Sequence, residues 1–539
     1  MRADHADYIV IGAGSGGAAV ASRLAEDARS RVLLLEAGPK DSNPLIHMPA
    51  GFTRLLTHRT LNWRRVSEPV PGLGGRRMPF PAGKVLGGSS AINGMLYIRG
   101  QADDYDAWRD AGNEGWGWDD VLPYFRRAED QQHGESESHG AGGPIGVSDT
   151  RPSSPASRLF LEAAVRSGLP RLDDLNTGDQ HGIALVQGTI RKGRRISTAV
   201  GYLRSAAARS NLRIVTGALV ERIVVDEGAA TAVVYRDRAG AAVTARAERE
   251  IVLCAGAIAS PQLLLQSGIG DAAALKALGI APVHHLPGVG ENLHDHLFVF
   301  VQPRLKKGMP TLNGLLSSSP RLALEALRYG LSRSGALALT SCEVCGFLDS
   351  TGQGGRPDIE ITFRPLSFDL LPDGGWRPHP FPGGTSSVCA TRPKSRGRVT
   401  LARDADDGRR VAIQPNYLAD EDDVMSLVRG LRILRRILAT EPFASCLEAE
   451  HRPGADVDSD EALARYVRET ASTVYHPVGT CRMGGDAMSV VDARLRVHGI
   501  AGLRVADASI MPAIPSGNTN APTIMIGEKA ADMIRRDHN

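Results

Sequence analysis

The feature that most constrains the fold is a glycine-rich turn near the start of the chain, Gly12-Ala13-Gly14-Ser15-Gly16-Gly17. An apolar run over residues 8–11 precedes the turn, a helical pattern over residues 18–26 follows it, and a second apolar run covers residues 31–35. Apolar runs on either side of an amphipathic segment are typical of buried parallel strands joined by a helix. The pattern predicts a strand–turn–helix–strand unit with a parallel sheet.

The spaced glycines of this turn suit the binding of a dinucleotide. Gly12 permits the tight turn, Gly14 allows the backbone to approach a pyrophosphate, and Gly17 lets the helix pack closely on the strand. The helix N-terminus then offers N–H groups and a positive dipole end to the phosphates, and Ser15 lies at the same place. The turn therefore predicts a cofactor with a pyrophosphate.

Glu36 ends the second apolar run, about 20 residues after Gly17, where dinucleotide-binding folds carry an acid. A carboxylate there accepts hydrogen bonds from both hydroxyls of an adenosine ribose and would repel a 2′-phosphate. NADP is therefore disfavoured, whereas FAD and NAD both remain open. A glycine-rich turn beside a surface glutamate is the structural alternative.

The composition is that of a globular chain and excludes several classes of function. Its 539 residues favour roughly two to four domains, and a formal net charge of +3 gives no case for nucleic acid. The six cysteines are scattered and make no disulfide framework. We find no signal peptide and no apolar run of about 18 residues that could cross a membrane. We predict a cytoplasmic protein, with peripheral membrane contact left open.

Four further motifs follow the glycine turn, at residues 83–95 (GKVLGGSSAINGM), 256–270 (GAIASPQLLLQSGIG), 475–484 (YHPVGTCRMG) and 503–523 (LRVADASIMPAIPSGNTNAPT). Together with the turn, they resemble the motifs of the glucose–methanol–choline (GMC) oxidoreductase family. They occur in the family's order and span nearly the whole chain. The choline- and alcohol-dehydrogenase branch is the most similar part of that family.

The resemblance implies an α/β fold with two domains. A Rossmann-like FAD-binding domain is expected from the discontinuous segments 1–150, 191–300 and 470–539. A substrate-binding domain, with a sheet and covering helices, is expected from residues 151–190 and 301–469. Some members carry a histidine bonded covalently to the flavin, and the matching position here is Ile92. We therefore predict non-covalent FAD.

The predicted FAD contacts come from the turn, the second strand and the positions that match flavin-contacting segments of the family. Val220 matches a residue whose backbone meets the adenine, and Asp507 resembles the acid near the ribityl and phosphate region. Small residues in the GGSS segment allow its backbone to approach a flavin. The full set is Gly12, Gly14, Ser15, Gly17, Glu36, Trp63, Val85, Gly88, Asn93, Met95, Val220, Asp507, Ala508 and Asn518.

Alcohol oxidation needs a base for the hydroxyl proton and an acceptor for the hydride of the adjacent carbon. By the resemblance, His476 occupies the catalytic histidine position, and we assign Asn520 to the partner position, which is His or Asn in the family. A core histidine and a helix cap are the ordinary alternatives. Val474, Tyr475 and Phe363 are expected to line the substrate pocket, with core or lid packing as the alternative.

The predicted reaction is the oxidation of a small alcohol to an aldehyde or ketone, with FAD as the hydride acceptor. Oxygen, a quinone or a cytochrome-type carrier remains open as the electron acceptor. A flavin photodecarboxylase of the same fold is a rival, but such enzymes place a cysteine where this chain has Thr391. A non-catalytic flavoprotein and an NAD-dependent hydride transferase are the other rivals.

Two further groups of side chains have simpler explanations. The histidines of His294-Asp295-His296 suggest a metal site, but successive residues of a strand point to opposite faces, which separates Asp295 from both histidines. The segment also resembles a family segment without a metal role, so we predict polar contacts and no metal. A cavity-facing Glu343 would favour a cationic alcohol, and a surface position is its ordinary alternative.

Overall fold

The computed structural model describes residues 3–404 and 408–538. A mostly parallel sheet forms the core of the N-terminal region, and its strands come from distant parts of the chain. Ala229–Arg236 and Leu219–Asp226 extend it as an antiparallel edge. The order across the sheet is Leu212–Thr216, Val32–Glu36, Ala3–Ile11, Ala242–Leu253, Ala229–Arg236 and Leu219–Asp226, with Leu503–Val505 paired to Ala242–Leu253.

The predicted strand–turn–helix–strand unit is confirmed. Ala3–Ile11 and Val32–Glu36 pair in parallel, and the helix between them, Ser15–Leu24, packs on the last helix of the chain. This first helix begins at Ser15 rather than at the predicted residue 18, because Gly14 is its N-cap and the end of the glycine turn forms its first turn. The turn therefore places the N-terminus of the helix at the edge of the sheet.

A second large sheet is antiparallel and is formed mainly by residues of the C-terminal half. Alternation of buried and cavity-facing side chains along its strands determines which residues reach the site. The long helix Glu421–Leu438 covers this sheet. The strand order is Val344–Leu348, Ile359–Arg364, Thr385–Ala390, Leu297–Leu305 and Leu447–Arg452, with Ser472–Thr473 paired to Leu297–Leu305.

The remaining elements connect and cover the two sheets. Within residues 3–404 and 408–538, no helix combines the length and the hydropathy needed to cross a bilayer. The other helices are Pro44–His47, Phe52–Leu55, Ala102–Asp110, Trp118–Ala128, Pro155–Arg166, Arg204–Ala206, Gly256–Gln266, Ala272–Ala277, Leu312–Leu316, Ser319–Ser332, Asp460–Thr470 and Asn520–His538. The short strands are Arg65–Val66, Pro79–Phe80, Glu129–Gln131, Ile145–Asp149, Gly182–Leu185, Gln187–Gly188, Ile190–Arg191, Arg194–Arg195, Ile269–Gly270, His284–His285, Phe368–Leu370, Trp376–Pro378, Arg398–Arg403 and Arg409–Gln414.

Each sheet has its own hydrophobic core. The core of the parallel sheet includes the first helix and the last helix, and the core of the antiparallel sheet includes the long helix. The two cores support a division into two domains, whose boundaries stay a prediction. Val70 and Phe80, from the predicted FAD-binding segment, pack in the second core, whereas Leu401, from the predicted substrate segment, packs in the first.

Candidate active site

A cavity of about 530 Å³ is lined by residues of both sheets. From the parallel sheet, Ile11 and Leu35 reach it near the carboxyl ends of their strands, which is where open α/β sheets bind ligands. From the antiparallel sheet, Glu360, Thr362 and Arg364 line it from a single strand. The cavity therefore has one wall at the ligand-binding edge of the parallel sheet and a second wall with polar and charged side chains from the antiparallel sheet.

The glycine turn forms part of the cavity wall, and its geometry requires glycine. Gly12 has φ of +95°, and a Cβ there would lie 2.6 Å from the carbonyl oxygen of Cys254. A Cβ on Gly17 would overlap the carbonyl oxygen of Gly12 and lie 2.9 Å from Cys254 Cβ. Gly14 caps the first helix without a side-chain hydrogen bond. Gly12, Gly14 and Ser15 line the cavity, whereas Gly17 serves the packing behind it.

Glu36 lines the cavity at the end of its strand and is buried. Its Oε2 accepts a hydrogen bond from the Ala13 N–H at 3.0 Å, and its Oε1 accepts one from the Gly38 N–H at 2.8 Å. Burial raises the pKa of Glu36 to about 7, and the two backbone donors oppose that rise. Each oxygen keeps a lone pair that a ribose hydroxyl can use.

Asp507 lies in the same wall and organises the backbone around it. Its Oδ2 accepts hydrogen bonds from the Gly256 N–H at 2.8 Å and the Ser260 hydroxyl at 2.5 Å, and its Oδ1 accepts one from the Ser509 N–H at 2.8 Å. Burial raises the pKa of Asp507, and these donors lower it again. Ala508 beside it lines the cavity, as do Trp63, Met95 and Val220.

The GGSS segment is fixed by a buried arginine that sequence reasoning missed. Arg195 donates hydrogen bonds to the Ser90 carbonyl oxygen at 3.2 Å and to Asn93 Oδ1 at 2.7 Å. Gly88 and Asn93 line the cavity, together with the apolar side chain of Ile92. A Cβ on Gly88 would lie 2.7 Å from Gly14 Cα, so the two glycine-rich segments are in close contact.

Val85 is one predicted cofactor contact that the structure does not bring to the cavity. Its side chain is fully buried in a small cluster with Ile46, Leu55 and Leu61. Apolar packing behind the GGSS segment explains this, because a valine buries more apolar area there than at the wall of a partly polar cavity.

His476 follows the strand Ser472–Thr473 and lines the cavity. The buried Asp295 fixes the backbone of His476, because Asp295 Oδ1 accepts a hydrogen bond from the backbone N–H of His476 at 2.8 Å. Asp295 Oδ2 accepts one from the Thr473 hydroxyl at 2.6 Å. The Tyr417 hydroxyl also donates to Asp295 Oδ2. Burial lowers the pKa of the His476 imidazole well below its usual value, so the ring is neutral at pH 7.

A chain of hydrogen bonds defines the tautomer of His476. Nε2 of His296 lies 3.0 Å from the Thr391 carbonyl oxygen, which only accepts, so this nitrogen carries the proton. Burial lowers the pKa of His296 to about 4, so its Nδ1 is an acceptor, and His476 Nδ1 lies 3.1 Å from it. His476 therefore donates from Nδ1 and keeps a lone pair on Nε2.

Asn518, and not the predicted Asn520, is the amide that contacts this lone pair. Asn518 Nδ2 donates to His476 Nε2 at 3.0 Å, and Asn518 Oδ1 is buried without a hydrogen-bond partner among the described residues. Asn520 lies at the start of the last helix, where its Oδ1 accepts the Ser15 hydroxyl at 2.7 Å. Both line the cavity, but the contact with His476 is made by Asn518, two positions before the predicted Asn520.

Two of the three side chains predicted for the substrate pocket lie at the cavity, and the third does not. Val474 and Tyr475 line the cavity, but Phe363 is fully buried and stacks on Phe160 with ring centroids 4.6 Å apart. The pleat of the strand Ile359–Arg364 explains this difference, because Phe363 points to the opposite face from its neighbours Thr362 and Arg364.

Several cavity residues escaped prediction because no motif contains them. They come from the segment 52–65, where Phe52 and Arg65 line the cavity, and from the antiparallel sheet and its adjoining hairpin. Glu343, by contrast, is buried against the hydroxyls of Ser153 and Ser157 and does not line the cavity. The alternation of polar and apolar residues over 359–364 was the one available signal, since it predicts a two-faced strand.

The histidine segment makes polar contacts. His294 Nε2 lies 3.0 Å from Asn292 Oδ1, and His296 belongs to the chain of hydrogen bonds at His476. In the described ranges, no three His, Cys, Asp or Glu side chains are grouped as metal ligands.

Family models describe most of the chain. A GMC oxidoreductase model matches residues 6–298, and a second one for the C-terminal part of GMC oxidoreductases matches residues 393–527. The oxygen-dependent choline dehydrogenase of Serratia proteamaculans is 45% identical over 539 residues, which cover 98% of this chain and 96% of that protein. The alcohol dehydrogenase [acceptor] of Pseudomonas putida is 41% identical over 534 residues, which cover 98% and 96%.

Solved structures share the whole fold. Pyridoxine 4-oxidase from Mesorbium loti superposes with a TM-score of 0.88 at 33% identity, covering 99% of both chains. A variant of formate oxidase from Aspergillus oryzae, whose structure addresses FAD modification, superposes with a TM-score of 0.92 at 29% identity, covering 100% of this chain and 99% of the other. The similarity covers both sheets and the cavity between them.

Proposed function

This chain belongs to the GMC oxidoreductase family, and on that premise we propose that His476 takes the hydroxyl proton of an alcohol bound in the cavity. The protein is an FAD-dependent oxidoreductase that acts on alcohols. FAD supplies the hydride acceptor, which is chemistry that no side chain provides. The contact between Asn518 and the lone pair of His476 carries the proposal.

The residues along the cavity fit FAD. The uncapped N-terminus of the first helix and the close backbone at Gly12 and Gly14 suit a pyrophosphate. Glu36 offers free lone pairs at the place where an adenosine ribose is expected. Ile92 has no nucleophilic atom, so the proposal includes non-covalent binding.

The neutral imidazole of His476 is prepared to act as the base. Because Nδ1 donates toward His296, the available lone pair is on Nε2, at the cavity. For proton transfer the alcohol hydroxyl replaces the Asn518 amide at Nε2, and Asn518 Nδ2, with its two amide hydrogens, then donates to the alcohol oxygen. Removal of the proton leaves charge on that oxygen, which the Asn518 N–H stabilises.

The rival functions are not favoured. Thr391 contributes a carbonyl oxygen that orients His296, and its side chain does not line the cavity, so no reactive group stands where a photodecarboxylase places its cysteine. A non-catalytic module has no need for a buried neutral imidazole aimed into a cavity. The electron acceptor that follows alcohol oxidation remains oxygen, a quinone or a cytochrome-type carrier.

Substitution of the base tests the proposal. His476→Ala should keep its FAD absorbance and lose alcohol-driven flavin reduction by about 10²–10⁴-fold, the usual contribution of a general base. The measurement is anaerobic stopped-flow absorbance with a panel of alcohols. His181→Ala is the matched control, because the His181 side chain is exposed and outside the cavity. Unchanged reduction in His476→Ala would exclude this base.

A further inference from the structure

We propose that the alcohol substrate carries an anionic group, such as a carboxylate, which binds the guanidinium of Arg364 with Arg65 as a second cation in the cavity wall. This inference rests on the proposed alcohol oxidation and names the class of alcohol. Both arginines line the cavity, and neither makes an ion pair or a side-chain hydrogen bond within residues 3–404 and 408–538. Arg364 Nε is buried without a partner.

The fully buried arginines of the described chain all have polar partners, and Arg195 donates to oxygen atoms of Ile46, Ser90 and Asn93. Buried Arg99 pairs with Glu129 at 2.6 Å, and buried Arg504 pairs with Glu250 at 2.6 Å. Arg364 and Arg65 are half-buried and lack such partners among the described residues, and a bound anion would supply them. Burial lowers the pKa of Arg364 and lowers that of Arg65 to about 10. Guanidinium groups keep their charge at pH 7 in proteins.

Aromatic rings hold both guanidinium groups at the cavity wall. Arg364 lies 5.3 Å from the ring centroid of Trp376 and 5.7 Å from that of Phe368, and Arg65 lies 4.7 Å from that of Trp63. Stacking of this kind covers a guanidinium face and leaves its N–H edge available for a planar anion. The arrangement therefore suits bidentate recognition of a carboxylate.

One hairpin connects the two arginine positions. Trp376, which stacks near Arg364, belongs to the strand Trp376–Pro378, and Gly374 at its turn faces Pro79. Pro79 precedes Phe80, which pairs with Arg65 in the neighbouring short hairpin. The two cations thus approach the cavity from adjoining segments.

The acids of the cavity do not neutralise these cations. Glu36 and Asp507 are occupied by backbone donors at the nucleotide-binding side. Glu360 lies four residues before Arg364 on the same strand, which is about 13 Å at the rise of an extended chain. Burial raises the pKa of Glu360 to about 7, so much of it is protonated near neutrality. An anionic alcohol is attracted by this wall, and a quaternary ammonium alcohol is repelled.

Substrate charge can be tested on the wild-type holoenzyme. The panel pairs 4-(hydroxymethyl)benzoate with 4-methylbenzyl alcohol and 4-hydroxybutyrate with 1-butanol, and adds choline as the cation. The expected result is that each carboxylate has a kcat/KM for flavin reduction about 10–100-fold above its neutral partner, with choline lowest. Preference for choline or the neutral alcohols overturns the proposal. If no alcohol reduces the flavin, alcohol oxidation itself fails, which is a different result.

A binding measurement separates the anion site from catalysis. Benzoate, which cannot be oxidised, is titrated while the absorbance of oxidised FAD is followed. Arg364→Gln and Arg65→Gln should each raise the Kd for benzoate by about tenfold or more, and Arg364→Lys should recover part of the loss. Arg64→Gln is the matched control, since Arg64 is exposed and outside the cavity. Equal affinity in all four variants overturns the proposal, and loss of FAD from Arg364→Gln assigns the arginine to the cofactor instead.

Discussion

At the scale of single residues, the site depends on the hydrogen bonds that the His476 imidazole makes with neighbouring side chains. His476, Asn518 and His296 form a continuous chain of hydrogen bonds that ends on the Thr391 carbonyl oxygen. A neutral imidazole can present its lone pair on either nitrogen, and the chain selects Nε2. The proposed catalytic arrangement is therefore a property of the network and not of His476 alone.

Asn518 and Asn520 should differ in function despite their proximity. Asn518→Ala removes a donor from the reacting oxygen and should slow alcohol-driven flavin reduction by about 10²–10³-fold. Asn520→Ala removes the bond to Ser15 and should mainly lower the free energy of unfolding, by about 1 kcal/mol. Stopped-flow reduction and urea denaturation of both variants measure the two effects. A larger rate loss in Asn520→Ala would restore the sequence-based assignment.

His296 should act as a positioning residue that sets the pH dependence. The pKa of His476 is lowered mainly by burial and further by His296, and only neutral His476 can accept a proton. The wild-type rate of flavin reduction should therefore hold as the pH falls through 6.5 and decline only below the lowered pKa. His296→Ala should shift that acidic limb to higher pH and slow the reaction. An acidic limb at the same pH in both proteins contradicts the role.

At the scale of elements, the first helix is where local sequence and cofactor binding are most tightly joined. It packs between the parallel sheet and the last helix, and half-buried Arg23 donates to the buried Glu528 of that helix at 2.9 Å. Because Gly17 lies against the Gly12 backbone, the helix N-terminus is held at the end of the strand. Small residues thus determine where the dipole of the helix points.

Gly17→Ala should damage this element. The added methyl group would overlap the Gly12 carbonyl oxygen, so we expect a loss of about 1–3 kcal/mol in the free energy of unfolding and weaker FAD binding. Gly330→Ala is the matched control, because Gly330 lies in the helix Ser319–Ser332 with open space around it and should gain up to about 1 kcal/mol. Urea denaturation and flavin absorbance report both. A Gly17→Ala protein as stable and as yellow as wild type would refute the packing argument.

At the scale of the whole molecule, the cavity is shared by two hydrophobic cores. Residues of the parallel sheet and of the antiparallel sheet line the same space, so we predict that FAD contacts both. A ligand that binds only the folded state stabilises it by mass action. Cofactor binding should therefore couple to the stability of the complete protein and not to one domain.

Removal of FAD tests this coupling and the mode of attachment together. Since Ile92 offers no atom for a covalent bond, acid precipitation should release all FAD into the supernatant. The apoprotein should melt at a lower temperature, and FAD at 100 times its Kd should restore about 2.7 kcal/mol. Calorimetry and absorbance of the supernatant are the measurements. Yellow colour that stays with the precipitate would mean that another residue is bonded to the flavin.

Much of the nucleotide-binding half could be predicted, because its rules are local. The turn from Gly12 to Gly17, the two strands beside it and the acid at Glu36 follow from the spacing of small, apolar and acidic residues. The family motifs likewise identified His476. The side chains of Val85 and Phe363 lie away from the cavity because a packed cluster and a strand pleat decide their direction.

By itself, the sequence determined the dinucleotide turn, the fold class and the position of His476, since each follows from motifs of contiguous residues. Only the tertiary structure decided that Asn518 rather than Asn520 meets His476, that His296 defines its tautomer, and that Arg65 and Arg364 face the same cavity. These groups lie up to hundreds of residues apart along the chain. Their hydrogen bonds and charge interactions depend on distances of a few ångströms in space, which only the folded structure sets.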